Sequence, residues 1–311
     1  MHTTSTQLTP SLNALAEIIG RHTTGISDTG NHATTIPGLT FFRRETPTTP
    51  TICMVEPSIV IIVQGAKQLW LGEKAYPYDP THFLITSLNL PANGQVTTAS
   101  PEQPCLGLSL KLDLRVVTEL ISQGTLPLQA ERAVNTGVGL GTTTTGILHP
   151  FERLLALLAE PDAIPVLAPL IQREIHYRLL MSDQSARLRQ IVAIDGKGHR
   201  IAKAIEWLKL NYAQPLRVDQ LASSVQMSAP TFHQHFRQLT AMSPLQYQKW
   251  LRLNEAKRLM FNEHLDVSRA AFKVGYESPS QFSREYSRLF GIAPKRDIAT
   301  LREQAQSTTP V

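Results

Sequence analysis

Two cysteines in 311 residues, Cys53 and Cys105, are too few for a disulfide framework and too isolated for a zinc site. No apolar run approaches the roughly 18 residues of a membrane span. The polar opening Met1-His2-Thr3-Thr4-Ser5-Thr6 has no apolar stretch of the kind a secretory signal carries. These absences predict a cytoplasmic protein with no membrane partner. Catalytic signatures are missing as well. There is no G-x-S-x-G nucleophile turn, and Gly137, Gly139 and Gly141 have neither the G-x-G-x-x-G spacing nor a phosphate-loop lysine. A metal site on β-strands needs a close His-x-His pair, and between Pro37 and Leu112 His82 stands alone. His233 and His235 are two apart on a helical stretch, so they do not face one another. No enzyme, metal or cofactor is expected.

What is present is unevenly distributed. The net charge is +5, but residues 199–311 hold 16 Lys and Arg against 9 Asp and Glu, a balance of +7. Residues 1–198 hold 14 against 16, a balance of −2. The length suggests two domains, and a cationic domain is the electrostatic footprint of polyanion binding.

The front half has short β-type runs over Pro37–Leu112. They include Gly38–Phe42, Ser58–Gln64, Gln68–Leu71 and Lys74–Tyr78 around a Gly72-Glu73 hairpin turn, His82–Leu88, Gly94–Ala99, and the alternating Leu106–Leu112. A short helix over Leu12–Ile19 precedes them. Helical spacing follows at Leu114–Ile121, Phe151–Glu160, Val166–Met181 and Ala186–Ile194, with a Gly- and Thr-rich loop expected at Gly137–Gly146. Asp195-Gly196-Lys197-Gly198 is the linker candidate, dividing residues 1–198 from 199–311. An apolar pocket lined by some of Ile59, Ile61, Trp70, Tyr76, Phe83 and Leu108 is expected in the front domain, while plain core packing is the more frequent role of such residues. The two cysteines are expected to be buried and inert.

The back half says nearly the same thing twice. Ser228 and Ser278, Phe232 and Phe282, Phe236 and Tyr286, and Pro244 and Pro294 all pair at an offset of 50. Each copy reads as a helix, a tight turn and a second helix, over 218–239 and 267–290, joined by a linking helix over 244–262. Asp266 and Gly275 are expected to bound one helix, and Ser278-Pro279-Ser280-Gln281 to form a capping box at the next. Phe232, Phe236, Phe282 and Tyr286 face inward. Thr231, His233, Gln234 and Arg237 then face outward in the first copy, and Ser280, Gln281, Ser283, Arg284 and Arg288 in the second. Lys249, Arg252, Lys257 and Arg258 of the linking helix remain for solvent or phosphate. Such a unit is what a helix-turn-helix needs, its second helix reading base edges in the major groove. A linking helix of that length spans about 28 Å, close to the roughly 34 Å of one DNA turn.

Gly275-Tyr276-Glu277-Ser278, Gln281–Tyr286 and Phe290–Pro294 resemble the signature of the AraC/XylS transcriptional regulators. Leu221-Ala222, Met227-Ser228, Ser243-Pro244 and Leu251–Met260 fit the same family in order. The front half is similar to the β-rich regulatory domain of one branch of it, through Ser58–Gly65, Tyr78-Asp79, Ser87–Pro91 and Arg173–Ile175. The resemblance implies an α+β, two-domain fold: an N-terminal cupin-like barrel with flanking helices, then an all-α DNA-binding domain with two helix-turn-helix units. Its base-reading positions fall on Pro230, His233 and Gln234, and on Ser280, Gln281 and Arg284. Pro230 offers no reading side chain, so the second helix pair carries more of the expected readout. The partners expected are double-stranded DNA, RNA polymerase, an unidentified small-molecule effector and a second copy of the chain, in a regulator of the activator type. A helical protein-docking module and a cupin enzyme are the alternatives.

Overall fold

The computed structural model describes residues 2–25, 30–124, 136–193 and 196–307. They separate into two compact units, 1–202 with 238–241, and 203–237 with 242–311.

The first unit opens with α1 (His2–Thr23), longer than the expected Leu12–Ile19. The strands follow: β1 (His32–Ala33), β2 (Leu39–Arg44), β3 (Thr51–Val55), β4 (Ser58–Gln64), β5 (Ala66–Leu71), β6 (Lys74–Tyr78), β7 (His82–Thr86), β8 (Leu90–Thr98) and β9 (Cys105–Lys111). Then come α2 (Leu114–Ser122), β10 (Val138–Thr142), α3 (Thr145–Ala156), α4 (Ile164–Leu180) and α5 (Ser185–Val192), with two short 3-10 turns between α3 and α4. The strands form an antiparallel six-stranded sheet in the order β1-β2-β9-β4-β7-β10 and an antiparallel four-stranded sheet in the order β3-β8-β5-β6. Among the described residues no ladder joins the two, so the β region is a pair of sheets without a closed barrel.

The core lies on one face of the six-stranded sheet. Phe41, Ile59, Ile61, Phe83, Ile85, Leu106, Leu108 and Leu110 point that way and meet Leu15 and Ile19 of α1 and Leu148, Phe151 and Leu154 of α3. Each such side chain taken fully from water contributes roughly 1.5–3 kcal/mol.

Two expectations fail here. Gly137–Gly146 is not a loop: Val138–Thr142 is β10, paired with β7 from Val138↔Thr86 to Thr142↔His82. Glycine there reflects packing rather than a turn, since a Cβ on Gly141 would lie 2.1 Å from the Phe83 ring. The linker expectation fails in part. Asp195 lies outside the described residues, while Lys197 and Gly198 open a helix, α6 (Lys197–Leu210).

The second unit is helical. After α6 come α7 (Val218–Ser224), α8 (Ala229–Thr240), α9 (Pro244–Asn262), α10 (Val267–Lys273), α11 (Pro279–Phe290) and α12 (Pro294–Ser307).

Candidate nucleic-acid interface and ligand cavity

The two helix pairs are built around aromatic side chains four residues apart, which one helix face presents together. Phe232 and Phe236 of α8 are fully buried with ring centroids 5.5 Å apart, and Phe236 meets Tyr247 of α9 edge-on at 5.6 Å. In the second pair Phe282 and Tyr286 are equally buried and 5.6 Å apart. They pack with Leu253, Ala256, Leu259 and Met260 of α9. With both aromatic pairs directed inward, the opposite faces point to water. His233, Gln234, Arg237, Ser280, Gln281, Arg284 and Arg288 are exposed, as is Pro230, and Thr231 and Ser283 are half-buried. These are the sequence-predicted contact residues, placed together on the outer face of each second helix.

Caps fix where the helices start and stop. Asp266 accepts from the Arg269 amide at 2.8 Å to open α10, and Gly275 follows its end at φ +87°. Ser278 opens α11, with Pro279 in its first turn. The capping box expected there is half-formed. Ser278 accepts from Gln281 N, but the Gln281 amide turns along the helix and donates to Glu285 Oε1 at 3.2 Å. A complete box occurs at α9 instead, between Ser243 and Gln246.

The linking-helix cations all have partners, although Lys249 and Arg258 stay about half exposed. Lys249 pairs with Glu285 at 2.8 Å, Lys257 with Asp297 at 2.8 Å, and Arg258 with Glu255 and Glu263 at 2.8 and 3.0 Å. Arg252 donates to the carbonyls of Tyr212, Ala213, Gln214 and Gly275 at 2.7–3.2 Å. Burial pulls its pKa down, and the four carbonyl oxygens supply the acceptors that water no longer offers. Sequence spacing marks these cations as lying on a helix but not which carboxylates and carbonyls the fold brings to them. Arg237, Arg284, Arg288, Lys295 and Arg296 are different. All five are exposed and, among the described residues, none has an ion-pair partner. The uncommitted positive charge of the second unit therefore includes the outer faces of α8 and α11 and the start of α12.

In the first unit a cavity of about 740 Å3 lies between the sheets, lined from both. None of Ile59, Ile61, Trp70, Tyr76, Phe83 and Leu108 lines it. Ile59, Ile61, Phe83 and Leu108 are packed into the core on the helix-covered face. Their neighbours Ser58, Val60, Leu84 and Ser109 face the cavity instead, since side chains alternate between the faces of a strand. Both faces of β4, β7 and β9 are largely buried, so hydrophobicity alone does not tell them apart. Cys53 lines the cavity and Cys105 is buried. Burial raises both thiols, Cys105 to about 11, which keeps them protonated at neutral pH. No group of three or more His, Cys, Asp or Glu able to hold a metal occurs among the described residues, and no helix there is long and apolar enough to cross a membrane.

Residues 35–187 match the model of the AraC-type transcriptional regulator N-terminus, and residues 221–298 match a helix-turn-helix domain. A putative regulator of Escherichia coli, YneL, is 73% identical over 37 residues, which are 12% of this chain and 63% of that protein. The transcriptional activator RhaS of Escherichia coli is 25% identical over 158 residues, 50% of this chain and 56% of its own. ArgR of Pseudomonas aeruginosa is 23% identical over 155 residues, 50% and 47%. The chain thus spans about half to under two thirds of the length of these curated relatives. ToxT of Vibrio cholerae, solved with an unsaturated fatty acid bound, superposes with a TM-score of 0.55 at 10% identity, over 88% of this chain and 96% of that one, a likeness of fold. With an AraC-type N-terminal domain followed by a helix-turn-helix domain, the chain belongs to the AraC/XylS family of transcriptional regulators.

Proposed function

We propose that the protein is a sequence-specific DNA-binding transcription regulator. In this reading α8 and α11 enter successive major grooves of one duplex, and a small molecule held in the N-terminal unit controls the response. The supporting observation is the sorting of cations. Those of α9 are spent on carboxylates and carbonyls, whereas Arg237, Arg284 and Arg288 stand uncommitted on the outer faces of the two second helices. Arginine on such a face suits guanine edges and phosphates. Thr231, His233, Gln234, Ser280, Gln281 and Ser283 complete the proposed contact set. The protein acts in the cytoplasm without catalysis, together with RNA polymerase. The fatty acid bound by ToxT is a precedent for a small-molecule effector on this fold.

A homodimer through the first unit fits the exposed side of α4. Val166, Leu170, Tyr177 and Met181 recur there at spacings of four and seven, with Val166 67% and Leu170 62% exposed. A stripe of that period is what a second α4 would bury. Leu170→Glu is expected to lower the sedimenting mass of the full chain to that of a monomer.

The test of DNA reading is selection of duplexes from a random pool by the full chain. The expected product has two recognised segments about one helical turn apart, bound with an affinity that falls steeply with salt. A protein-docking module would select no sequence, and its DNA binding would be absent or insensitive to salt.

A further inference from the structure

Helix α11 carries a single carboxylate, Glu285, one turn beyond Gln281 and next to Arg284. Residues four apart share a helix face, and Glu285 is held there from three sides. Lys249 of α9 donates to Oε1 at 2.8 Å, the hydroxyl of Tyr276 donates to Oε2 at 2.8 Å, and the Gln281 amide donates to Oε1 at 3.2 Å. With 18% of its side chain exposed, Glu285 is a fixed acceptor beside an exposed glutamine. A carboxylate only accepts hydrogen bonds, so chemistry decides which end of the Gln281 amide faces it: the NH2. One of the two N–H bonds is used in this way, and the amide is left with one donor and its carbonyl oxygen. That pair matches the major-groove edge of adenine, whose N7 accepts and whose N6 amino group donates. It does not match guanine. There N7 and O6 both accept, and the Gln281 carbonyl would be left facing another acceptor. A free glutamine can present two donors or a donor and an acceptor, whereas the tethered one presents the second set. Ordering the side chain in advance also reduces the entropy it loses on binding. Lys249 neutralises the carboxylate, so the tether adds no net negative charge on the side meant for phosphate. In the first copy the position equivalent to Gln281 is Thr231, whose hydroxyl accepts from Ser228 Oγ at 2.8 Å, and the position equivalent to Glu285 is a histidine. A carboxylate tether is therefore built into the second copy and not the first.

We infer that Gln281 reads adenine in the major groove, and that Glu285 is the positioning residue that sets its amide for adenine and against guanine. The inference rests on the reading of α11 as a recognition helix and names a base it selects.

The test takes the duplex selected by the full chain, with all its single-base-pair variants, and measures affinity by fluorescence anisotropy. Gln281→Ala is expected to flatten the preference at one base pair. That pair should carry adenine, preferred over guanine by about tenfold or more in the unsubstituted protein. Glu285→Ala should lower the same preference by about three- to tenfold and leave the preference at the pair read by Arg284 unchanged. In the Gln281→Ala background, Glu285→Ala should alter the base profile no further, because a residue acting through Gln281 has nothing left to position. Glu285→Met fills similar space without an acceptor and should act as Glu285→Ala does, with thermal unfolding as the check that both variants fold. A merely structural Glu285 would instead weaken every duplex and every preference together, with or without Gln281, and that result would overturn its role. Guanine at the pair that Gln281→Ala flattens, or no flattened pair at all, would overturn the assignment of adenine. Any of these results on a duplex that is still selected by sequence defeats this inference alone. Selection of no sequence by the unsubstituted chain defeats the DNA-reading proposal and this inference with it.

Discussion

The two helix-turn-helix copies reach the same geometry by different means, and their differences line up residue against residue. At the turn between helices the second copy has Gly275 at φ +87°, where the first has Gln226 at φ +57°. After the second helix, Gly291 at φ +76° corresponds to Ala241 at φ +58°. A left-handed backbone costs a residue with a Cβ about 1 kcal/mol, so the first copy carries strain that the second avoids. One buried contact is also solved twice. In the first copy Phe236 packs edge-on against Tyr247. In the second, the equivalents Tyr286 and Asp297 form a 2.6 Å hydrogen bond, with Lys257 on the same carboxylate oxygen. A repeat fixes backbone shape, and several side-chain solutions serve it.

The contrast can be broken at its sharpest point first. Gly275→Ala would place a Cβ 2.0 Å from the Ala213 carbonyl, in the region where Arg252 ties four carbonyls together. A loss of about 3 kcal/mol or more is expected in denaturant unfolding of the full chain. The matched Gln226→Ala should cost less than Gly275→Ala, because Gln226 already bears a Cβ in the same backbone region. Equal effects would remove the asymmetry. Next, Arg284→Ala should cost about 1–3 kcal/mol on a selected duplex and flatten discrimination at one base pair. Arg237→Ala, in the copy whose second helix has Pro230 in its first turn, should weaken specific and random duplexes alike. If both substitutions act alike, the copies read DNA equally. Third, Tyr286→Phe should cost about 1–2 kcal/mol by removing a buried bond to a carboxylate. The reverse change, Phe236→Tyr, should not be stabilising.

The smallest expected effect is acidic. Burial pushes the Glu285 carboxyl up, but Lys249, Tyr276 and Gln281 together outweigh it and hold the pKa below the usual carboxylate range. A depressed folded-state pKa gives stability that is present above the unfolded value, about 4.3, and lost as pH falls through the folded one. Glu285→Gln should therefore flatten the acid limb of the unfolding profile by less than about 1 kcal/mol. The first copy has His235 at this position and no carboxylate to lose.

The helical half was legible because its pattern is local. Phe232 and Phe236, then Phe282 and Tyr286, set the inner faces by spacing alone, and Ser, Asp, Gly and Pro marked the ends of the helices. The β half was legible in its strands more than in its faces. Ile59 and Val60 are equally apolar, and only the placement of α1 and α3 on one side of the sheet decides which of them lines the cavity. β3 and β10 are not legible in the sequence, for related reasons. Thr51–Val55 is a short strand without alternation, and the glycines of β10 are there to seat Phe83 and not to make a turn. The partners of Arg252 and Lys249 were beyond reach because each bond closes a long loop, 40 residues between Arg252 and Tyr212 and 36 between Lys249 and Glu285, whereas Arg258 and Glu255 lie within one helical turn.

Arg252 gives α9 a further consequence. By holding the carbonyls of 212–214 and of Gly275 at once, it locks the turn of the second copy to the segment that precedes the first. A duplex advances by one turn in about 10–10.5 base pairs, so each inserted base pair swings the next groove round by roughly 34–36°. A chain clamped in this way does not turn to follow. On the proposed reading the protein measures helical phase, and a binding sequence lengthened by a single base pair would be as foreign to it as one with the wrong bases.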